Sequence, residues 1–391
     1  MRVLVVDDDP TVRQVVASLV RAQGHEAVAC ADGAEAWRRC QGERFPMVVT
    51  DWDLPGLDGA ELARRIRAQV GSEYVYIVMI SGEDQVEPRT AYVAGCDDLL
   101  AKPLAPGLLA ARLRVAARIH RMQHELARTH AAMQRDVEAA ARVQRGLLPA
   151  PLAADTPLDA AWRFAPWAGV GGDFLSLFRI DEAHVAFCLF DVVGHGIAAA
   201  LLAMQVHRQL SPAMAVSTLL KRPRSGPPWY ELVEPRAVIL GLAAAFRSPP
   251  GRIDAFTLCY GLWHLPSRRV RLANAGQSGI LLRRAGTARA LDLPSRPIGL
   301  FAPEAMDPAG CELVLGPEDA LVLASDGIAE SAWPDGRELG EDGLLAAIAG
   351  TPGDADDAAA IADRVMAAAG PLGLGGSDPD DRTVLVLRPR P

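Results

Sequence analysis

The sequence predicts a multidomain chain: a doubly wound α/β unit with a five-stranded parallel sheet, one long helix, and an α+β unit with antiparallel sheets. Three observations carry this reading. Short runs rich in Val, Ile and Met at 2–6, 46–50 and 74–80 alternate with amphipathic stretches of helical period. From Leu108 to Leu147 there is no proline and a single glycine, Gly146. Beyond residue 155 the apolar runs and the helical patterns separate into groups. A chain of 391 residues also exceeds what one hydrophobic core usually organises.

The alternation at the amino end reads as βαβ units. Weaker runs at 25–30 and 97–101 complete the five strands, with helices near 10–23, 33–40, 58–69, 85–94 and from 105 onward, so the first domain covers 1–120. Over 105–147 a heptad seam runs through 108, 112, 115, 119, 122, 126, 129, 133, 136, 140, 143 and 147. Nine of these twelve positions are apolar, the exceptions being Arg112, Thr129 and Asp136. That pattern predicts a dimerising coiled coil. Pro149 and Pro151 end the helix. The second domain, 150–391, shows strand-like runs at 184–191, 254–262, 269–274, 279–284, 319–325 and 383–388. Helical patterns lie near 195–209, 231–246, 339–349 and 355–369. "KRPRSGPPWYE", residues 221–231, predicts a mobile flap.

Half of the residues are hydrophobic and 23% are charged, which fits globular folding. A net charge of −8 gives no reason to expect nucleic acid as a partner. The basic residues Arg112, Arg114, Arg118, Arg121, Arg128, Arg135, Arg142 and Arg145 fall around the long helix as a solvated surface does. Six scattered cysteines suggest neither disulfides nor a zinc site. With no signal peptide and no run long enough to span a bilayer, the expectation is a cytoplasmic protein with no membrane contact.

Acids collect at the strand ends of the first domain. Asp7, Asp8 and Asp9 follow the first strand, Asp51 the third, and Ser81 and Lys102 the fourth and fifth. In a parallel doubly wound sheet these ends open on one crevice. Clustered carboxylates suit Mg²⁺, and a lysine supplies a point charge for phosphate. Through "VLVVDDDP", "VVTDWDLPGLDG", "MISGED" and "LLAKPL", residues 1–120 resemble the flavodoxin-like receiver domain of two-component response regulators. The resemblance implies that Asp51 accepts phosphate and that Asp7 and Asp8 form the Mg²⁺ pocket. It implies that Asp53 gives a backbone carbonyl, that Ser81 is the switch hydroxyl and that Lys102 binds phosphate. A sensor histidine kinase or phosphotransfer protein is the implied phosphodonor. Leu99 stands where an aromatic switch residue often sits, so signalling is expected to run through the helix from residue 105.

In the second domain acids again sit beside glycines or at strand ends: Asp173 in "GVGGDFLS", Asp191 in "FDVVGHG", Asp326 in "SDGIAE", and Asp380 and Asp381 in "DPDDRTVLVLR". Hard divalent cations take oxygen ligands, and two close together activate water for in-line attack on phosphorus. Glycines let the backbone approach. With "AARVQRGLLPAP", "NAGQSG" and "RPIGL", these motifs resemble the SpoIIE/RsbU-type metal-dependent serine/threonine phosphatases of the PPM superfamily. The fold implied is a sandwich of two antiparallel sheets flanked by helices, with two Mg²⁺ or Mn²⁺ ions between the sheets. The resemblance implies that Asp191 bridges both ions and that Val192 offers its carbonyl oxygen. It has Asp173 acting directly or through water, Asp326 and Asp380 holding one ion, and Asp381 in support. His195 is expected to shape its turn and bind nothing. Three residues depart from the family pattern: Ser176 for a second acid, Gln277 for a histidine, and Val192 for the glycine of eukaryotic members.

Together the resemblances imply a response regulator whose Asp51 phosphorylation controls a protein phosphatase acting on a phosphorylated anti-sigma-factor antagonist. The alternative is a degenerate phosphatase that docks a sigma or anti-sigma factor as an adaptor; retention of the acids favours the enzyme.

Overall fold

The computed structural model describes residues 1–69, 74–82, 88–210, 219–247, 254–332, 337–350, 356–370 and 380–390. Two units emerge, Met1–Met133 and Gln134–Pro391. The first contains β1 (Arg2–Val6), α1 (Pro10–Ala22), β2 (Glu26–Cys30), α2 (Gly33–Gly42), β3 (Met47–Asp51), α3 (Gly59–Ala68), β4 (Tyr76–Gly82), α4 (Pro88–Val93) and β5 (Asp98–Lys102), followed by the start of α5 (Pro106–Gly146). All five strands pair in parallel in the order β2-β1-β3-β4-β5, the doubly wound order whose switch point lies between β1 and β3. Asp9, Asp32 and Asp58 start α1, α2 and α3 by accepting a first-turn amide. Of the helix expected at 85–94, residues 85–87 lie outside the described residues.

The first turns of α5 bury Leu109, Leu113 and Ala116 against Val5, Val49 and Val78 of the sheet. The heptad seam uses another face. Met122, Leu126 and Met133 on that seam are 59%, 72% and 62% exposed. Packing inside the chain therefore explains the buried stripe and engages Arg112, Ile119 and Ala140 of the seam, while leaving Met122, Leu126 and Met133 exposed. Replacing Leu113 with Ala should cost the first unit about 3 kcal/mol in urea unfolding, as for other core leucines. The same change at Leu126 should leave that unit's midpoint unmoved.

The second unit comprises β6 (Leu158–Ala165), β7 (Phe174–Arg179), β8 (His184–Val192), α6 (Ile197–Gln209), β9 (Lys221–Pro223), β10 (Tyr230–Leu232), α7 (Pro235–Ala245), β11 (Phe256–His264), β12 (Arg269–Ala275), β13 (Ile280–Arg284), β14 (Thr287–Ala290), β15 (Ala309–Val314), β16 (Ala320–Ala324), α8 (Asp326–Ala329), α9 (Gly340–Ile348), α10 (Ala358–Ala368) and β17 (Arg382–Pro389). Two antiparallel five-stranded sheets form, β15-β12-β11-β8-β7 and β14-β13-β16-β17-β6. Leu175, Leu177, Phe187, Leu189 and Trp263 of the first meet Leu282, Leu321, Leu323, Leu385 and Leu387 of the second in a dry layer. The outer face of the first sheet is covered by α6 and α7, through Val206, Val238 and Ile239. That of the second is covered by α9 and α10, through Leu344, Ile361 and Val365.

The structure revises two readings. Residues 221–231, expected as a flap, lie largely in the β9–β10 hairpin, where Lys221 sits 4.2 Å from the centroid of the Tyr230 ring. The helix expected from 231 starts at Pro235, whose fixed φ suits a first helical position. Among the described residues no helix is long and apolar enough to cross a membrane, and all six cysteines are free.

Candidate active site

Strand alternation decides which side chains enter the space between the two sheets. Along β8, Phe187 and Leu189 belong to the inter-sheet layer and Cys188 and Phe190 to the helix side, so Asp191 falls on the inter-sheet side. Along β7, Leu175 and Leu177 face inward, which places Asp173 on the same side. From the other sheet, Leu321 and Leu323 of β16 set the parity for Ser325, and Leu385 and Leu387 of β17 set it for Thr383 and Asp381. Asp326 opens α8 just past Ser325, and Asp380 precedes Asp381. The acids thus come in two groups, each from one sheet.

These carboxylates act strongly on one another. Burial first, then the charges of Asp326, Asp380 and Asp381, pushes Asp191 up to about 8. Asp173, 1% exposed, is raised well above the usual carboxylate range by burial and then by Asp191. No donor stands in good hydrogen-bond geometry to either of its carboxylate oxygens, although the Ser325 and Thr383 hydroxyls lie near enough to oppose the rise. Asp326 is raised by burial and then by Asp380. Asp326 Oδ1 accepts the Gly327 amide at 3.0 Å and Asp380 Oδ1 the Asp381 amide at 2.8 Å, and the crowded carboxylates together offer the oxygen ligands that hard divalent cations take.

Asp381 differs from its neighbours because backbone amides claim both its oxygens. Trp167 N donates at 2.8 Å and Gly172 N at 2.7 Å. Burial raises its pKa and those amides oppose the rise. Glycine is needed here. A Cβ on Gly171 would lie 2.0 Å from the Asp381 carboxylate, and one on Gly172 would lie 2.5 Å from the Val192 carbonyl oxygen.

Two contacts were invisible in the sequence as site features. Gln144, fully buried near the end of α5, donates from Nε2 to the Gly171 carbonyl at 2.8 Å and accepts the Gly171 amide at 3.2 Å. Gln277 accepts from Thr257 Oγ1 at 2.7 Å and donates to Ala324 O at 3.2 Å. Since Thr257 pairs with Asp191 and Ala324 precedes Ser325, Gln277 staples the two sheets beneath the acids. His195 is exposed.

In the first unit Asp7, Asp8 and Asp51 present oxygens within 4.8 Å of one another. Lys102 Nζ stands 2.9 Å from Asp51 Oδ2 and 3.3 Å from Asp7 Oδ2. Burial, then Asp51, raises the Asp7 pKa, and the Lys102 charge opposes it. Burial disfavours the Lys102 charge, but the hydrogen bond and charge of Asp51, then Asp7, outweigh it and hold its pKa above ordinary. Ser81 is buried at the end of β4 with its hydroxyl on Gly82 O at 3.0 Å, and Asp53 is exposed.

The family model for Stage II sporulation protein E (SpoIIE) matches residues 181–390, more than half of the chain. The chain belongs to the SpoIIE family. Ahead of that domain, residues 3–114 match the response regulator receiver domain. The chemotaxis protein CheY homolog of Campylobacter jejuni is 34% identical over 116 residues, 29% of this chain and 89% of that protein. Chemotaxis protein CheY1 of Helicobacter pylori is 34% identical over 118 residues, 29% of this chain and 95% of that one. The SiaA-PP2C domain of Pseudomonas aeruginosa shares the fold at 21% identity, covering 66% of this chain and 98% of that one with a TM-score of 0.52. A receiver domain and a SpoIIE-family domain with the fold of a PP2C domain thus share one chain.

The raised carboxylates fix the sign of a pH effect. An aspartate in the unfolded chain ionises at about 3.9, and Asp191 in the folded, metal-free domain at about 8. Between those values the folded state holds the extra proton, so the domain loses stability as pH rises and regains it as pH falls. In calorimetry with a chelator its transition should fall by roughly 5 °C or more between about pH 5.5 and about pH 8. Added Mg²⁺ should restore it chiefly at the higher pH, and Asp191→Asn should flatten the dependence. A transition insensitive to pH in the chelated protein would contradict the packing of charges described.

Proposed function

We propose that phosphorylation of Asp51 controls a Mg²⁺- or Mn²⁺-dependent serine/threonine protein phosphatase in the carboxyl-terminal domain. The observation that carries this reading is the crowding of Asp173 and Asp191 from one sheet with Asp326 and Asp380 from the other, close enough for their charges to raise the pKa values of Asp173, Asp191 and Asp326. Asp191, Asp173, Asp326 and Asp380, with the Val192 carbonyl oxygen, would hold the ions, Asp191 between them and Asp173 directly or through water. Bound there, the ions supply the positive charge and water activation that in-line attack on phosphorus requires. The chain's own contribution is to hold the acids in place, through Asp381 on the 167–172 loop and Gln277 between the sheets.

In the receiver, Asp7, Asp8, Asp51 and the Asp53 carbonyl hold one Mg²⁺. Lys102 neutralises the incoming phosphoryl group, with Ser81 as the hydroxyl that follows it. A sensor histidine kinase or phosphotransfer protein in the cytoplasm is the donor. The output element is α5, which begins four residues after Lys102 and ends with Gln144 on Gly171, beside the acids. The substrate is a phosphorylated anti-sigma-factor antagonist in a partner-switching pathway, in keeping with the family.

Hydrolysis of an aryl phosphate or a phosphoserine peptide should require Mn²⁺ or Mg²⁺, and Asp326→Ala should lower kcat on the order of 100-fold or more. A small-molecule phosphodonor should add one phosphoryl group by mass spectrometry and change the rate, and both effects should vanish in Asp51→Asn. Equal inactivity of wild type and Asp326→Ala, with and without the phosphodonor, would refute the enzymatic reading.

The exposed seam of α5 supports a homodimer through the linker helix. Sedimentation equilibrium should find a dimer for the full chain and a monomer for Leu126→Glu, because a charge at a core seam position opposes pairing. A dimer that survives this change places the interface elsewhere.

A further inference from the structure

One cluster of ligating side chains lies away from both acid sites, at the opposite end of β8 from Asp191, ~23 Å along the strand. Here His184 of β8 pairs across the sheet with His264 of β11. Cross-strand partners share a face, so the two imidazoles lie side by side. Their centroids are 4.8 Å apart and their planes tilt by 43°.

Each ring has one nitrogen engaged. His184 Nδ1 lies 2.9 Å and 3.1 Å from the two Asp181 carboxylate oxygens, and His264 Nδ1 lies 2.6 Å from Ser267 Oγ. Asp181 also accepts the amides of Ala183 at 2.9 Å and of His184 at 2.7 Å. A carboxylate is an acceptor, so the neutral His184 imidazole places its proton on Nδ1 and leaves its lone pair on Nε2. Among the described residues neither Nε2 has a hydrogen-bond partner. Burial first, then His184, holds the His264 imidazole below its ordinary pKa and keeps its lone pair available near neutral pH.

We propose that His184 and His264 bind one borderline transition-metal ion of the Zn²⁺ class through their Nε2 atoms, with water completing its shell. The Asp181–His184 hydrogen bond is the carboxylate–histidine arrangement that orients ligating imidazoles. With metal–nitrogen bonds of about 2.0–2.1 Å, two imidazoles on one tetrahedral ion have centroids roughly 5 Å apart, and the pair already stands at 4.8 Å. Imidazole selects Zn²⁺, Cu²⁺ or Ni²⁺ over Mg²⁺, so this ion differs in kind from those suited to the carboxylate clusters. Occupancy ties the β7–β8 turn to the β11–β12 turn. Asp181 also lies near enough to Tyr230 of the β9–β10 hairpin to add to the rise that burial gives the pKa of its hydroxyl.

The test is Zn²⁺ titration calorimetry on the full chain in saturating Mg²⁺, which keeps the carboxylate sites filled with the harder ion. His184→Asn and His264→Asn should each lose one equivalent of Zn²⁺ uptake. His120→Asn should keep it, although His120 and His124 on α5 form another close pair, with centroids 4.3 Å apart. A second measurement needs no variant. In wild type, Zn²⁺ should shield His184 and His264 from acylation by diethylpyrocarbonate, read site by site by mass spectrometry. Unchanged stoichiometry in both strand variants, uptake lost only with His120→Asn, or equal labelling of both histidines with and without Zn²⁺ would each overturn the proposal.

Discussion

Mutual repulsion among carboxylates crowded between two sheets is the constraint on which the second domain depends. Two sheets with fully buried inner faces converge so that Asp173, which is buried, and Asp191, Asp326 and Asp380, which are partly exposed, crowd together at the edge of the inter-sheet layer. Left to themselves, such charges would part or take up protons. What holds them is hydrophobic: a leucine-rich layer between the sheets and a helical layer outside each one. Fully burying one leucine contributes about 1.5–3 kcal/mol, so these layers outweigh several unfavourable charges. Asp381 and Gln277 then convert bulk cohesion into position, one fixing the 167–172 loop and the other spanning the sheets.

The same logic gives α5 its importance. Gln144 is wholly buried, and both ends of its carboxamide are spent on the amide and carbonyl of a single residue, Gly171. An unsatisfied buried polar group costs about 1–3 kcal/mol, so displacing the end of α5 requires the Gly171 loop to follow or to lose both bonds. Gly171 adjoins Gly172, whose amide binds Asp381 and whose backbone abuts the Val192 carbonyl. A movement at the helix end therefore reaches the acids through backbone, without any change in their identity.

How much of this was legible depends on which signal each element carries. β1, β3 and β4 are buried on both faces and appear in the sequence as unbroken apolar runs. β6 and β15 are half-exposed or alternate in burial, and their composition did not separate them from loops. The acids were legible because aspartate beside glycine is chemically conspicuous. Gln144 was not, since a lone glutamine in a polar helix resembles its solvated neighbours until its burial is known. The sequence set Asp381 apart from Asp380 only through resemblance, without a physical reason for it. That needed the parity of β17, which turns Asp381 toward the backbone amides of the 167–172 loop.

Parity also explains why Ser176 does not reach the carboxylates. Along β7 the odd residues face the second sheet and the even ones face the helices, so Ser176 lies on the opposite side from Asp173. Its hydroxyl meets His207 Nδ1 at 2.9 Å, and burial lowers the His207 pKa. A carboxylate at 176 would be desolvated beside that imidazole and would need it protonated. Serine satisfies the same nitrogen with both groups neutral. The departure at 176 thus resets the contact between β7 and α6, while the residues turned toward the second sheet keep every acid that the cleft gathers.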